Sequence, residues 1–375
     1  MAKIVVLGGG YAGLACLIEL SRRDKQAQLH LIDAQAVHCK QTNLHKTFRY
    51  PAEKYSVPYT TLAERFSFTF QQQRLDFALE DLARWQQDGA ICLAGEKIPF
   101  DALVISSGAT PRQLPDGAAT TTANDLREGG GPALIDQLRQ LGGSAPVEIS
   151  CVGGGATGIQ FLWELEEELA RQRIPHHLRL IDLNRRLVPG LPRTFHTHIR
   201  RKLQRKKISY LAETGYLGQQ NGAIELQQVG SDSSFSLPSH WTLLFPGVIP
   251  TPQSFAANAY GQVLVDGAPL ASIFVAGDCS RFDASGLNQL TAQAAVRKGK
   301  LVARNILRLA EGRSMLAYTY QEKGYILSLG GSDALGWVGL RFALVKGLPA
   351  ALLKEAMETQ YDLFLNGVDT YFDFF

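Results

Sequence analysis

The chain carries one glycine signature twice, and that repeat constrains the fold more than any other feature. Val6–Ala15 reads VLGGGYAGLA and Val152–Leu165 reads VGGGATGIQFLWEL. Gly8, Gly10 and Gly13 form G-x-G-x-x-G in the first copy, and Gly153, Gly155 and Gly158 form it in the second. Each signature follows a short apolar, β-branched run, Lys3–Leu7 or Val147–Val152, of the kind that makes a buried parallel strand. Each leads into a segment with an apolar helical face. Each is followed by a second run, LHLID or HLRLID, that ends in an acid, Asp33 or Asp182.

Every part of this unit has a physical task. The first glycine permits a tight turn, the second lets backbone approach a pyrophosphate, and the third lets helix and strand pack closely. The helix N-terminus offers free N–H groups and a partial positive charge, which places Tyr11, Ala12 and Thr157 beside the phosphates. The acid accepts hydrogen bonds from ribose hydroxyls. A lone glycine signature can be a mere structural turn. A strand, turn, helix, strand and acid in order, and then again, is a repeated supersecondary unit. The expected fold is therefore α/β, with two Rossmann-like domains. Two dinucleotide sites in one chain suggest two dinucleotides that exchange electrons, with a flavin in the first and a nicotinamide in the second.

Composition removes other classes. The 375 residues suffice for two or three domains, and 45% hydrophobic with 19% charged residues describes a globular chain. A net charge of +3 is too mild to argue for nucleic acid, and no zinc-finger or RNA-binding pattern appears. The five cysteines, Cys16, Cys39, Cys92, Cys151 and Cys279, contain no CxxC or CxxxxC pair. That argues against a disulfide framework, a metal site and a dithiol redox centre. No signal peptide or bilayer-length apolar run is visible. A cytoplasmic protein is expected, with peripheral attachment to the inner face of a membrane as an option.

At these residues the chain resembles the two-dinucleotide flavoproteins, the pyridine nucleotide–disulfide oxidoreductase superfamily, whose fold is glutathione-reductase-like. Three further segments carry the resemblance. DALVISSGATPR, from Asp101, is similar to the exit strand and turn of the flavin domain, with Ser106-Ser107-Gly108 in place of Ala-Thr-Gly. WTLLFPGVIPTP, Trp241 to Pro252, is similar to the matching exit of the nicotinamide domain, with Gly247 in the glycine role. SIFVAGDCSRF resembles the late flavin motif, in which Gly277-Asp278 ends a strand and the acid bonds the ribityl chain of FAD.

Within that superfamily the chain most resembles the type II NADH:quinone oxidoreductases and ferroptosis-suppressor-like and apoptosis-inducing-factor-like proteins. The redox cysteine pair is missing, and LTAQAAVRKGKLVARNI matches the segment beside the isoalloxazine through Ala292 and Gln293. The chain departs from that pattern at Arg297, where a second Gln is usual, and at Gln160, where an acid is usual.

The resemblance implies an FAD-dependent oxidoreductase that passes a hydride from NAD(P)H to flavin and then electrons to a quinone. It implies a split flavin domain (1–110 and 255–312), a nicotinamide domain (111–254) and a C-terminal membrane or dimer-interface region (313–375). The FAD-contacting positions are Gly8, Gly10, Tyr11, Ala12, Gly13, Asp33, Ala34, Lys40, Gly108, Gly277, Asp278 and Ala292. The nicotinamide positions are Gly153, Gly155, Thr157, Gly158, Asp182 and Gly247. Gln293, Lys40 and Gln160 are the catalytic candidates, and no metal is needed.

Gln293 can bond a quinone carbonyl or simply sit on a helix surface. Lys40 or His38 can place positive charge near the flavin, or lie in an exposed loop. Asp182 favours NADH, while Arg185 and Arg186 offer a 2′-phosphate an alternative. Cys39 reads as a bland thiol rather than a reactive one.

Beyond Arg313 the repeat stops. Gly330-Gly331 and Gly336 read as turns. WVGLRFALVKGLPAALLKEAMETQYDLFL has apolar residues at helical spacing, with Arg341, Lys346 and Lys354 as basic flanks. An interfacial amphipathic helix pair is expected there, the alternatives being a dimer interface or a helix packed on the flavin domain. The rival functions are a sulfide:quinone-type flavoprotein and a non-enzymatic, flavin-bound NADH sensor or assembly factor.

Overall fold

The computed structural model describes residues 1–371 except positions 144, 252 and 342. Pro252, which closes the second exit segment, and the last four residues lie outside the described part. Two large sheets organise the chain, a mixed one of eight strands, in which Gln262–Val265 runs antiparallel to its neighbours, and an all-parallel one of five, and each is seeded by one glycine unit. In the first, Lys3–Leu7 pairs in parallel with Gln28–Asp33 on one side and Ala102–Ile105 on the other. Phe68–Gln72 extends it beyond Gln28–Asp33. Ala268–Val275 pairs in parallel with Ala102–Ile105, and Gln262–Val265, Phe255–Ala257 and Ser280–Phe282 complete eight strands. Strands from residues 3–105 and 255–282 thus share one sheet. The second sheet has five parallel strands, in the order Thr120–Thr122, Trp241–Leu244, Val147–Val152, His176–Ile181 and Ser209–Leu211.

The central strands are buried on both faces, which their unbroken apolar runs require. Val6, Leu31, Leu103 and Val104 are fully buried, each contributing roughly 1.5–3 kcal/mol of hydrophobic stabilisation. The helix Tyr11–Arg23 packs on the helix Ala292–Ala310 at very close range. A Cβ on Gly299 would lie 2.1 Å from the Ala12 carbonyl oxygen, so a glycine there permits the crossing. Where the chain leaves the two sheets, the exit segments pair with each other. Ala109–Pro111 runs antiparallel to Val248–Pro250, just beyond Gly108 and Gly247, which both have positive φ.

The tail corrects the sequence expectation. Residues 337–341 and 343–345, the described residues of WVGLRFALV, are not helical. Gly324–Ser328, Ala334–Val338 and Leu344–Lys346 form a three-stranded antiparallel sheet. Gly336 marks no turn; it lies within the middle strand opposite Ile326, where a Cβ would meet the Tyr325 carbonyl oxygen at 2.6 Å. One helix follows, Leu348–Leu365, opened by Pro349, which is suited to the first helical turn. Its Tyr361, Phe364 and Leu365 join the core of the first sheet. No helix among the described residues is long and apolar enough to cross a membrane.

Candidate functional site

The two glycine turns repeat each other atom for atom in their hydrogen bonding. Gly8 and Gly153 have φ of +99° and +111°. Their N–H groups donate at 2.8 Å to the Ile32 and Ile181 carbonyls. A Cβ on Gly13 would lie 1.9 Å from the Gly8 carbonyl oxygen, and one on Gly158 the same distance from that of Gly153. These third glycines are obligatory for the turn itself. The second glycines are different. Gly10 and Gly155 have extended backbone that any residue can adopt, and a Cβ on either would meet no protein atom within 4 Å. The space beside them lies at helix N-termini that no side chain caps, which is an anion-receptive arrangement.

Each acid is clamped in the same way. Asp33 accepts from the N–H of Gly9 (2.6 Å) on one oxygen and from that of Gln35 (2.7 Å) on the other. Asp182 accepts from the N–H of Gly154 on one oxygen and from that of Asn184 (2.6 Å) on the other. Backbone donors hold both carboxylates at the strand ends. Tyr59 adds its hydroxyl to Asp33 at 3.3 Å. Ala34 is exposed beside Asp33, and Thr157 is exposed in the first turn of the second helix. Arg186 bonds the Pro189 and Leu191 carbonyls, so it braces its own loop.

The late motif brings Gly277 and Asp278 back to the first turn, where a Cβ on Gly277 would lie 2.9 Å from the Ala12 Cβ. Asp278 Oδ1 is buried with no hydrogen-bond partner. An orphaned carboxylate oxygen is costly and fits a hydroxyl donor on a bound molecule. Burial raises the Asp278 carboxyl to about 6, against the pull of Lys298. Lys298 is itself buried and bonded to the Ser280 carbonyl and hydroxyl, and burial lowers it to about 8. Ala292 opens the neighbouring helix, which Thr291 caps through the Ala294 N–H.

Between the first glycine turn and the tail lies a network that sequence spacing does not announce. His38 is buried; its Nδ1 is 3.1 Å from the Gly9 carbonyl, and its Nε2 is 3.0 Å from the Tyr361 hydroxyl. Nδ1 can only donate to a carbonyl, so Nε2 accepts from Tyr361. Burial lowers His38 to about 4. It is therefore neutral at ordinary pH, which corrects its candidacy as a cation. Lys40 forms an ion pair with Asp362 at 2.8 Å. Lys46 bridges Glu355 and Glu358. A cavity of about 420 Å³ opens here, lined by Lys40, Lys46, Arg49, Glu164 and Asp362 among others. Glu164 is buried, and desolvation lifts it to about 7 although Arg49 stands 3.6 Å away. Burial also raises the Cys39 thiol, which keeps it protonated.

The remaining candidates are engaged by the tail. Gln160 accepts from the Ser328 N–H at 3.4 Å. Gln293 accepts from the Tyr320 hydroxyl at 3.0 Å. Arg297 lies 5.9 Å from the centroid of the Tyr371 ring. Sequence reasoning missed Tyr320, Tyr361 and Glu164. Tyr320 and Tyr361 act through long-range contacts, and Glu164 reads as one surface acid among several.

Two acid-clamped glycine turns, each within a parallel β-α-β unit of its own sheet and joined by paired exit strands, define a protein with two dinucleotide-binding domains. The chain belongs to the pyridine nucleotide-disulphide oxidoreductase family, which it matches over residues 2–299. It is 25% identical to a type II NADH:quinone oxidoreductase of Staphylococcus epidermidis, over 98% of this chain and 96% of that protein. Its fold is that of the sulfide:quinone oxidoreductase from Aquifex aeolicus, with a TM-score of 0.81 and 17% identity over 100% of this chain and 94% of the other. The NDH2 structure from Plasmodium falciparum in complex with NADH aligns with a TM-score of 0.75 and 13% identity, over 96% of this chain and 94% of that one.

Proposed function

We propose that this protein is an FAD-dependent NADH:quinone oxidoreductase. The observation that carries the reading is the duplicated turn, in which each acid is held by the same backbone donors and each second glycine faces open space. The relatives that match nearly the whole chain bear the name type II NADH:quinone oxidoreductase. The flavin domain in this reading is 1–110 with 255–312, the nicotinamide domain is 111–254, and 313–375 forms a third unit.

FAD, when bound, supplies the two-electron chemistry by taking a hydride from the nicotinamide and passing electrons to the acceptor. The chain's own residues do the rest. Gly8 makes the turn with its positive φ, Gly10, Tyr11, Ala12 and Gly13 present N–H groups and space to the FAD pyrophosphate, and Asp33 beside Ala34 receives its ribose. Asp278 offers its unpartnered oxygen to a ribityl hydroxyl. Gly153, Gly155, Thr157 and Gly158 cradle the nicotinamide dinucleotide, with Asp182 on its ribose. An acid at the Asp182 position disfavours a 2′-phosphate on that ribose and favours NADH. Gly108 and Gly247 turn the exit strands between the two sites. Gln293 meets the acceptor, and Lys40, paired with Asp362, borders the flavin side.

The tail supports a peripheral membrane attachment. Leu348, Leu352 and Leu363 are exposed on the tail helix, beside exposed Val338 and Leu340. Arg341 and Lys346 flank them with positive charge, an arrangement suited to an anionic lipid surface.

The glycines give a clean test. Gly10→Val and Gly155→Val each add a side chain where the fold has room and a dinucleotide would not. Gly10→Val is expected to purify folded and colourless. Gly155→Val is expected to stay yellow, yet resist reduction by NADH. Normal FAD content in the first variant, or normal NADH reduction in the second, would remove the assignment.

A further inference from the structure

We propose that Tyr320 is a positioning residue for the electron acceptor, acting through Gln293; this rests on the quinone reading above. The Tyr320 hydroxyl donates to Gln293 Oε1 at 3.0 Å. Residue 320 lies beyond the family match at 2–299, so the tail supplies this contact.

Backbone bonds fix where Tyr320 stands. The Leu287 N–H donates to the Tyr320 carbonyl at 2.9 Å, and the Gly286 N–H to the Tyr318 carbonyl at 3.1 Å. The buried Tyr318 ring returns its hydroxyl to the Leu287 carbonyl at 3.0 Å. The segment carrying Tyr320 is thus tied to the loop that leads into the Ala292–Ala310 helix, whose first turn carries Gln293. Burial raises the Tyr320 phenol to about 12, so it remains a donor at ordinary pH.

The consequence follows from the two ends of an amide. Gln293 has one acceptor oxygen and an NH2 group with two donors. With Tyr320 donating to Oε1, the NH2 end keeps its two donors for a ligand. A quinone carbonyl is an acceptor only and requires a donor. The flipped amide would set oxygen against oxygen. A phenol donates better than it accepts, so the Tyr320 bond to Oε1 biases the amide toward the orientation that offers its NH2 end to an oxidised quinone. The acceptor class assigned to this site is a carbonyl-bearing quinone held by a single pre-oriented amide.

The test uses full-length holoenzyme, with Tyr320→Phe, Gln293→Leu and the double variant. Tyr320→Phe keeps the ring and its packing and removes only the donor. Loss of one hydrogen bond predicts a rise of about three- to tenfold in the KM for a short-chain ubiquinone, with the anaerobic rate of flavin reduction by NADH unchanged. In the Gln293→Leu background the same change should add nothing. An unaltered quinone KM in Tyr320→Phe, an equal further loss in the Gln293→Leu background, or an equal slowing of the NADH step would each overturn the proposal. Failure of the quinone reading itself has a different signature: wild-type reduced flavin that no quinone reoxidises, which removes both readings.

Discussion

Glu164 makes the stability of the fold depend on pH. It sits 2% exposed in the helix after the second turn, on the wall of the cavity beneath the tail. Desolvation lifts its carboxyl from 4.5 to about 7, and Arg49 only partly opposes this. For a raised acid, the native state keeps a proton that the unfolded chain has already released. Stability therefore falls as pH rises from about 4.5 to about 7, and the full penalty is present above that. The penalty is about 3 kcal/mol at one pKa unit per ~1.4 kcal/mol. Glu164→Gln keeps shape and hydrogen bonding without a charge to bury, and Arg49 keeps Glu167 at 2.6 Å. The variant should match wild type near pH 4.5 and exceed it by up to about 3 kcal/mol at pH 8. The assay is urea unfolding at several pH values, followed by tryptophan fluorescence, because Trp163 is buried next door. Asp278 titrates in an overlapping window but cancels in the difference between the two proteins. A difference that stays flat between pH 5 and 8 would refute the reasoning, since it would mean that Glu164 is ionised against Arg49 throughout.

Two further outcomes are expected. Asp278→Ala removes a buried charge and, on the proposed reading, the acceptor for a ribityl hydroxyl, so the apoprotein should gain stability at pH 8 while FAD affinity, by equilibrium dialysis, falls roughly 10- to 100-fold. Sedimentation with vesicles containing phosphatidylglycerol should capture the wild-type protein and not a Leu348→Glu, Leu352→Glu variant; equal capture of both would place the membrane contact elsewhere.

The legible parts of this molecule are the local ones. Each glycine turn, its strand, its helix and its acid lie within about forty residues, so spacing alone predicts which backbone groups meet. The structure finds Gly8 and Gly153 at positive φ and both acids clamped by backbone N–H groups. The tail was opaque for a physical reason. Ala334, Leu335, Gly336 and Trp337 are all buried, and a strand buried on both faces has no alternation to separate it from a helix. Tyr361 meets His38 across 323 residues, and Tyr320 meets Gln293 across 27. Neither contact leaves a periodic trace. The substitution of Gln160 for an acid was visible, but its engagement by the Ser328 N–H depended on where the hairpin falls.

The central claim is that the second turn delivers electrons to a carrier in the first. Its most direct test is anaerobic stopped-flow mixing of the purified yellow protein with NADH, followed by a quinone. The expected result is that flavin absorbance bleaches within the first mix, faster with NADH than with NADPH, and returns on adding the quinone. A flavin that only dithionite can bleach would contradict it, because the second turn would then hold no working donor.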